Sequence, residues 1–270
     1  MILAGVVGYP ISQSLSPKLH GYWLDKYALN GAYVPLPVAV DDFENVITTL
    51  PKMGFHGVNV TIPHKQTALR LADEVTETAR EIGASNTLFF DDGRILADNT
   101  DAYGFMANIE ANVPDWNPKS KALVIGAGGA ARAVIYGLLS RGCSKIYLSN
   151  RSLDKAETLA EHFGEKVNVI TNVEIEKHIP DVDLLVNTTS LGMTGYPPLE
   201  IDLAGSKKSC VITDIVYNPL ITPLIRSAEQ QGLSTVTGIG MLLHQAVPGF
   251  EGWFGKRPVV DDELERLILG

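Results

Sequence analysis

Basic residues, cysteines and long apolar runs are all scarce in this chain, and each scarcity removes a class of function. Lysine and arginine number 22 against 31 aspartates and glutamates, so the 270 residues carry a formal charge of −9. Nucleic-acid phosphates demand a basic face, and no cluster of lysines and arginines offsets this balance, so nucleic acid is not expected as a partner. The two cysteines, Cys143 and Cys210, form no C-x-x-C, and the six histidines never fall into H-E-x-x-H or a similar ligand spacing. Neither a structural disulfide nor a metal is expected. No uncharged apolar run approaches the roughly 20 residues of a membrane span. The apolar start, Met1 to Gly8, lacks a basic lead and stops at Pro10, so it reads as a buried strand rather than a signal peptide. The expectation is a cytoplasmic protein with neither membrane nor nucleic acid as partner.

What is present is a large apolar fraction, 45% against 20% charged, enough to build one large domain or two ordinary ones. Within it, Asn59-Val60-Thr61-Ile62-Pro63-His64-Lys65 follows a short apolar run that reads as a strand, and Asn99-Thr100-Asp101 follows another. Strand ends of an open α/β sheet are where ligands bind, so Lys65 and Asp101 are offered to one small polar ligand. Upstream, Ser14 and Ser16 alternate in a turn before a helix at Lys18 to Tyr27, with Pro17 suited to a first helical position and Ser16 placed as the N-cap. Two readings stand side by side: the hydroxyls cap and turn the chain, or they cradle a carboxylate beside a helix N-terminus.

The first half continues as a strand near Ala32 to Val40, where Pro35 and Pro37 favour an edge. A helix with a capping-box pattern opens at Asp41-Asp42-Phe43-Glu44 and ends at Gly54. A strand at Val58 to Thr61, a helix at Lys65 to Ala72, a helix capped by Thr76 and ended by Gly83, and a hairpin turning at Asp91 to Arg94 complete it. The proline-bearing segment from Val113 to Pro118 reads as the connection between domains.

Beyond it, Lys121 to Ile125 is a buried strand, followed directly by Gly126-Ala127-Gly128-Gly129-Ala130-Ala131 and a helix. This is the G-x-G-x-x-A pattern in its strand, turn and helix setting. Glycines let the backbone approach a pyrophosphate, whose charge meets the unpaired N–H groups and the positive end of the helix. The second strand ends in Asn150-Arg151-Ser152, with Lys155 one turn later. An acid there would hold a ribose hydroxyl; cations instead suit a 2′-phosphate, which selects NADP over NAD. Further strands at Val167, Val182 and Val211 deliver Thr188 and the Ile215-Val216-Tyr217-Asn218-Pro219 segment at their ends, and a helix beginning near Gly238 carries Met241 and Gln245 one turn apart.

Together, Ser14-x-Ser16-Pro17, Asn59-x-Thr61-x-Pro63-His64-Lys65, Asn86-Thr87, Asp98-Asn99-Thr100-Asp101-x-x-Gly104, Gly126-Ala127-Gly128-Gly129-Ala130, Asn150-Arg151-Ser152, Asn187-Thr188-Thr189-Ser190, Tyr217-Asn218-Pro219 and Gly238-x-x-Met241-Leu242-x-x-Gln245 resemble the shikimate/quinate dehydrogenase family across nearly the whole chain. Ser152 stands where threonine is commoner in the family, and Thr188 where alanine is common. The resemblance implies an α/β fold of two domains: a substrate domain with a mostly parallel sheet, residues 1–101 with 239–270, and a Rossmann NADP-binding domain, residues 102–238. The last helices return to the first domain.

The resemblance further implies reversible NADP-linked interconversion of 3-dehydroshikimate and shikimate, within aromatic amino-acid and chorismate biosynthesis. By it, Ser14 and Ser16 hold the substrate carboxylate, Asn59, Thr61, Asn86 and Gln245 bind ring hydroxyls, Tyr217 touches substrate, and Lys65 with Asp101 moves the proton. Glu77, Thr188, Ile215, Gly238 and Met241 join the glycine turn, Asn150, Arg151, Ser152 and Lys155 around the cofactor. Elementary chemistry agrees: hydride addition puts negative charge on a ketone oxygen, and an ammonium beside it serves as acid and electrostatic clamp. Two alternatives remain at this stage, a broader quinate/shikimate dehydrogenase and a non-catalytic NADP-binding sensor, and oligomeric state is open, a homodimer included.

Overall fold

Strand β1 (Ile2–Gly8) is buried from Ala4 to Gly8, as its small and branched apolar residues suit a strand covered on both faces. The structure is a computed structural model describing residues 1–270. β1 pairs in parallel with β2 (Gly31–Pro37) on one side and β3 (Phe55–Val60) on the other. β2 carries Pro35 and Pro37 and is an edge strand, the place for residues without an N–H to donate. Next to β3 the direction reverses: β5 (Thr87–Asp91) runs antiparallel to it and turns back through Asp92 and Gly93, both at positive φ, into β6 (Arg94–Asp98). The two-residue β4 (Glu74–Val75) lies parallel to β6 and completes the order β2-β1-β3-β5-β6-β4.

That reversal decides where the polar residues go. Because β5 is antiparallel, its beginning lies beside the end of β3, with Asn59 opposite Thr87 and Thr87 opposite Asp98. The ends of β1, β3 and β6 and the start of β5 therefore share one edge of the sheet. Helices α1 (Ser16–Lys26), α2 (Phe43–Thr49), α3 (Lys65–Leu71) and α4 (Glu77–Ile82) connect these strands.

α5 (Asp101–Asn112) leads to a second sheet. Its strands β7 (Lys121–Ile125), β8 (Lys145–Ser149), β9 (Val167–Ile170), β10 (Leu184–Asn187), β11 (Val211–Asp214) and β12 (Ser234–Val236) are all parallel. Their spatial order is β12-β11-β10-β7-β8-β9, the doubly wound arrangement whose order reverses between β7 and β10. Alternation along the strands feeds two cores: Ala122, Val124, Leu184 and Val186 face one, and Leu123, Ile125, Leu185 and Ile212 the other. Helices α6 (Gly129–Ser140), α7 (Leu153–Phe163), α8 (Ile175–His178) and α9 (Pro223–Gln230) link them, and α10 (Ile239–Phe254) and α11 (Asp262–Leu269) end the chain.

The chain divides into two compact units, Met1–Asp101 with Leu243–Gly270, and Ala102–Leu242. In the first, Trp253 of α10 donates its indole N–H to Leu88 O at 3.1 Å. A Cβ on Gly57 would lie 2.1 Å from both of those groups, so only glycine admits the contact. Asp261 caps α11 through Leu264 N–H and is ion-paired with Lys26 of α1. Three local expectations fail. Ser16 is the first residue of α1 rather than its cap, and its N–H is taken by Ser14 Oγ at 3.3 Å. Asp41 to Glu44 forms no capping box: a 3-10 turn over 40–42 runs straight into α2 without a side-chain cap. The segment 113–118 lies inside the second unit, because Phe105, Met106 and Ile109 of α5 already belong to its core.

Beneath the first sheet His20 is wholly buried, stacked on Tyr33 at 3.9 Å with the rings 3° from parallel, and packed near Trp23, Phe250 and Trp253. Neither ring nitrogen has a partner. Burial pushes its pKa down from 6.5 to about 3, since the charged form finds no solvation there. Between those values the unfolded chain binds a proton that the folded chain does not, so stability rises with pH through that window. Stability is expected to fall on acidification below about pH 6.5, with His20 contributing about 1.4 kcal/mol per pH unit. Urea unfolding at pH 7 and pH 5 checks this: a His20→Phe variant should show the shallower pH dependence, and an unchanged slope would remove His20 as its source.

Candidate active site

The two units carry separate clusters of sequence-predicted residues. In the first, Lys65 opens α3 just past β3, and Asp101 opens α5 just past β6. Lys65 Nζ lies 2.5 Å from Asp101 Oδ2, with the side chains 29% and 14% exposed. Asp101 sits at a helix start, where a negative charge is favoured. Asn86 Nδ2 donates to the other carboxylate oxygen at 2.8 Å, and the Asp101 N–H is held by Asn99 Oδ1 at 3.0 Å. The carboxylate is thus held at both oxygens, and its residue is held through the backbone N–H.

Asn86 is buried and reaches four neighbours. Its Oδ1 accepts from Thr100 N at 2.8 Å and Thr87 Oγ1 at 2.9 Å, and its Nδ2 also reaches Thr100 Oγ1 at 3.0 Å and Gln245 Oε1 at 3.4 Å. Asn59, also buried, donates from Nδ2 to Asn86 O and Thr87 Oγ1, while its Oδ1 accepts from Tyr33 Oη at 2.6 Å. Thr61 and Ser14 are half-buried, Ser16 is buried, and a Cβ on Gly8 would meet Thr61 Cγ2 at 2.5 Å, which brings the β1 end against the β3 end. His64, inside the same motif, turns away: its Nε2 bonds Val38 O at 2.8 Å and its ring stacks on Phe43, so it braces the loop. Sequence patterns give no sign of Tyr33, and they carry Thr87 and Thr100 inside motifs without a role; all three hold this cluster from within. Glu77 is exposed in the first turn of α4, behind the cap that Thr76 makes to Ala79 N–H.

In the second unit the reversal point of the sheet places the turn after β7 beside the segment after β10. Thr188 N and Oγ1 both donate to Ile125 O, at 2.8 and 2.7 Å, and a Cβ on Gly126 would stand 2.5 Å from Thr188 Oγ1. Gly126 is at φ +112°, so glycine is required twice over. Ala127 and Ala130 are half-buried. At Gly128 and Gly129 an added Cβ would meet nothing, and α6 begins there with no capping side chain and no acid in its first turn. That is the donor set a pyrophosphate needs, and the turn fits a dinucleotide on this ground. Asn150 Nδ2 donates to Ser152 O at 2.8 Å, bending the loop after β8. Arg151, Ser152 and Lys155 are exposed, and Ser152 holds the N-cap position of α7 without making the cap bond.

Asp214, at the end of β11, ties the remaining loops together. It is buried, and it accepts from Asn187 Nδ2, Val216 N and Thr222 Oγ1 at 2.9, 3.0 and 2.8 Å. Burial pushes its carboxyl up despite these donors. Asn187 in turn accepts from Thr189 and donates to Leu191 O. Ile215 N bonds Asn187 O, and a Cβ on Gly238 would lie 2.3 Å from Ile215 O. Ile215 and Met241 pack half-buried on the core, and burial raises the pKa of the half-buried Tyr217 phenol.

A parallel sheet wound in this order, with a glycine turn at its reversal point, defines a dinucleotide-binding oxidoreductase that carries a second α/β unit bearing a lysine–carboxylate pair. Comparison with known proteins narrows the class. The profile of the shikimate dehydrogenase substrate binding domain matches residues 6–88, and that of shikimate/quinate 5-dehydrogenase matches residues 109–237. The shikimate dehydrogenase (NADP(+)) of Roseobacter denitrificans is 52% identical over 99% of this chain and 98% of its own. Among solved structures, shikimate 5-dehydrogenase from Thermus thermophilus, in complex with NADP(H) and shikimate, is 34% identical at TM-score 0.87 over 99% of this chain and 98% of that one. Quinate dehydrogenase from Corynebacterium glutamicum, in complex with NAD, is 30% identical at TM-score 0.90 over 99% and 97%. The chain belongs to the shikimate/quinate dehydrogenase family.

Asp214→Leu nearly keeps the volume but removes both acceptor oxygens, leaving the Asn187 Nδ2 and Val216 N–H donors buried without a partner. Such a buried loss is expected to lower the unfolding free energy by about 1–3 kcal/mol. Denaturant titration at neutral pH measures it, and an unchanged midpoint would show that the three bonds to Asp214 do not hold these loops.

Proposed function

We propose that the chain catalyses the reversible, NADP-linked reduction of 3-dehydroshikimate to shikimate, the step the family performs in aromatic amino-acid biosynthesis. The observation that carries the chemistry is the half-buried pair of Lys65 and Asp101, fixed by Asn86. The bound cofactor supplies a hydride to the ketone carbon. Lys65, as ammonium, stands beside the ketone oxygen and gives it a proton as the negative charge develops; in the reverse direction it takes the proton back. Asp101 fixes the direction of Lys65 and accepts a hydrogen bond from a neighbouring ring hydroxyl.

Ser14 and Ser16 hold the carboxylate through uncharged donors, and Asn59, Thr61, Asn86 and Gln245 read the ring hydroxyls, with Tyr217 against the substrate. Gly126, Ala127, Gly128, Gly129 and Ala130 receive the pyrophosphate. Asn150, Arg151, Ser152 and Lys155 receive the 2′-phosphate, while Glu77, Thr188, Ile215, Gly238 and Met241 lie toward the rest of the cofactor. No helix is long and apolar enough to cross a membrane. A cytoplasmic location goes with the reading, as expected of a biosynthetic enzyme that draws on the cell's NADPH. Quinate use is the competing specificity, because one similar structure is a quinate dehydrogenase.

Three measurements test this. Lys65→Ala is expected to lower kcat by about 100- to 10,000-fold while NADP binding survives; a loss confined to KM would reduce Lys65 to a binding role. Initial rates with shikimate and quinate against NADP and NAD should be fastest for shikimate with NADP. Arg151→Ala should cut the preference for NADP over NAD by about tenfold, equivalent to roughly 1.4 kcal/mol. An unchanged preference would place the 2′-phosphate elsewhere.

A further inference from the structure

Asp214 is a buried acid with no positive partner. The residue is 1% exposed, and none of the chain's ion pairs includes it. Its hydrogen bonds are those of the ionised form. Asn187 Nδ2 and Val216 N–H both donate to Oδ1, at 2.9 and 3.0 Å, and Thr222 Oγ1 lies 2.8 Å from Oδ2. Thr222 is wholly buried and caps α9 by accepting from Ile225 N–H, so the acceptor for its own proton is Asp214. Three donors therefore converge on the carboxyl group, and a proton on Oδ2 would face the threonine proton. Neutral donors hold this charge in place without neutralising it.

Where the charge sits follows from the order of the strands. The glycine turn after β7 and the cations after β8 are read above as taking the pyrophosphate and the 2′-phosphate, which puts the adenosine half of NADP on the β7-β8-β9 side of the reversal point. A doubly wound sheet takes the other half of a dinucleotide across that point. There lie the ends of β10 and β11, whose last residues, Asn187 and Asp214, are register partners. The same pair fixes the segments that leave these strands, one through Thr189 and Leu191 and the other through Val216 and Thr222. The nicotinamide is the part of the cofactor whose charge changes in the reaction, a cation in NADP+ and neutral in NADPH. We propose that the buried Asp214 carboxylate is the counter-charge of the oxidised nicotinamide, favouring NADP+ over NADPH in the site and so making the bound reduced cofactor a stronger hydride donor. Charges attract far more strongly through protein interior than through water, so Asp214 acts without touching the cofactor. The proposal rests on the NADP reading given above.

The ratio of two dissociation constants isolates the charge. Kd for NADP+ and for NADPH is measured by isothermal titration calorimetry on the whole protein, without substrate, for wild type, Asp214→Asn and Thr222→Val. Asp214→Asn keeps the shape and one oxygen for Asn187 and Val216 but removes the charge. It should raise the Kd for NADP+ by about tenfold and move that for NADPH by less than about twofold, which raises the potential of the bound two-electron couple by about 30 mV. Thr222→Val loosens the same loop but keeps the carboxylate, and should leave the ratio within about twofold of wild type. An unchanged ratio in Asp214→Asn, including equal rises for both forms, would overturn the proposal. So would a shift in Thr222→Val as large as that in Asp214→Asn, which would assign the effect to loop geometry. Failure of wild type to bind either form would instead overturn the NADP reading. If Asp214→Asn does not fold, Asp214→Ser, smaller and equally uncharged, carries the same comparison.

Discussion

Asn86 has one carbonyl and one amino group, and the polar end of the first sheet is arranged about them. The side chain is 3% exposed, so water cannot satisfy it and the protein must. Its oxygen holds Thr100 N–H and its nitrogen holds the Asp101 carboxylate, which in turn holds Lys65. This chain of contacts exists only in one register of β3, β5 and β6. A slip by one residue would send Asn86 to the opposite face and leave Thr100 and Asp101 without their partner. Fold and site are specified by the same hydrogen bonds. The antiparallel reversal at β5 is what makes that register available, since a parallel strand in its place would carry residue 86 to the far edge.

The second unit recognises its ligand by other means. A pyrophosphate spreads its charge over several oxygens and is well served by backbone N–H groups and a helix start, so side chains must be kept away rather than supplied. Hence a glycine whose missing Cβ admits Thr188, and two more whose Cβ positions open onto free space. A hydroxylated ring offers single donors and acceptors in fixed directions instead, and reading it takes amides and hydroxyls that are themselves locked. On the function proposed above, the first unit therefore uses buried asparagines and threonines where the second uses glycines. The second unit's buried Asp214 performs the locking that Asn86 performs in the first, holding two loops with one carboxylate.

This difference governs what could be read from the chain. The glycine turn is contiguous, follows its strand and opens its helix, so residues 121–140 are legible in pattern alone, and the strands at 167–170 and 211–214 fall where their apolar runs put them. Lys65 and Asp101 are legible as strand-end groups, but their meeting at 2.5 Å depends on a strand reversal that no local pattern states. Ser16 is not the cap its position suggests because α1 starts one residue early, with Ser14 rather than Ser16 supplying the acceptor. The segment at 113–118 misleads because Val113 and Trp116 pack on the same core as α5, and His64, for which the sequence offers no role, is placed by Val38 and Phe43, both distant in sequence. Tyr33 is invisible in the sequence because a tyrosine on an edge strand is ordinary until its hydroxyl is seen to meet Asn59.

The partial exposure of the lysine pair follows from what the pair must do. Wholly buried, the two charges would lose hydration that their mutual attraction need not restore, and a ligand could not reach them. Wholly exposed, the lysine would wander through its rotamers and the contact would fix nothing. At 29% and 14% exposure the pair lies between these limits. Both oxygens of Asp101 are engaged, one by Lys65 and one by Asn86, so the carboxylate cannot rotate and Lys65 Nζ is held to one point. An ammonium has three protons, and Asp101 engages one of them. That leaves two protons on a nitrogen whose position is set by a buried network, which is the arrangement that proton transfer to an oxygen placed beside it requires.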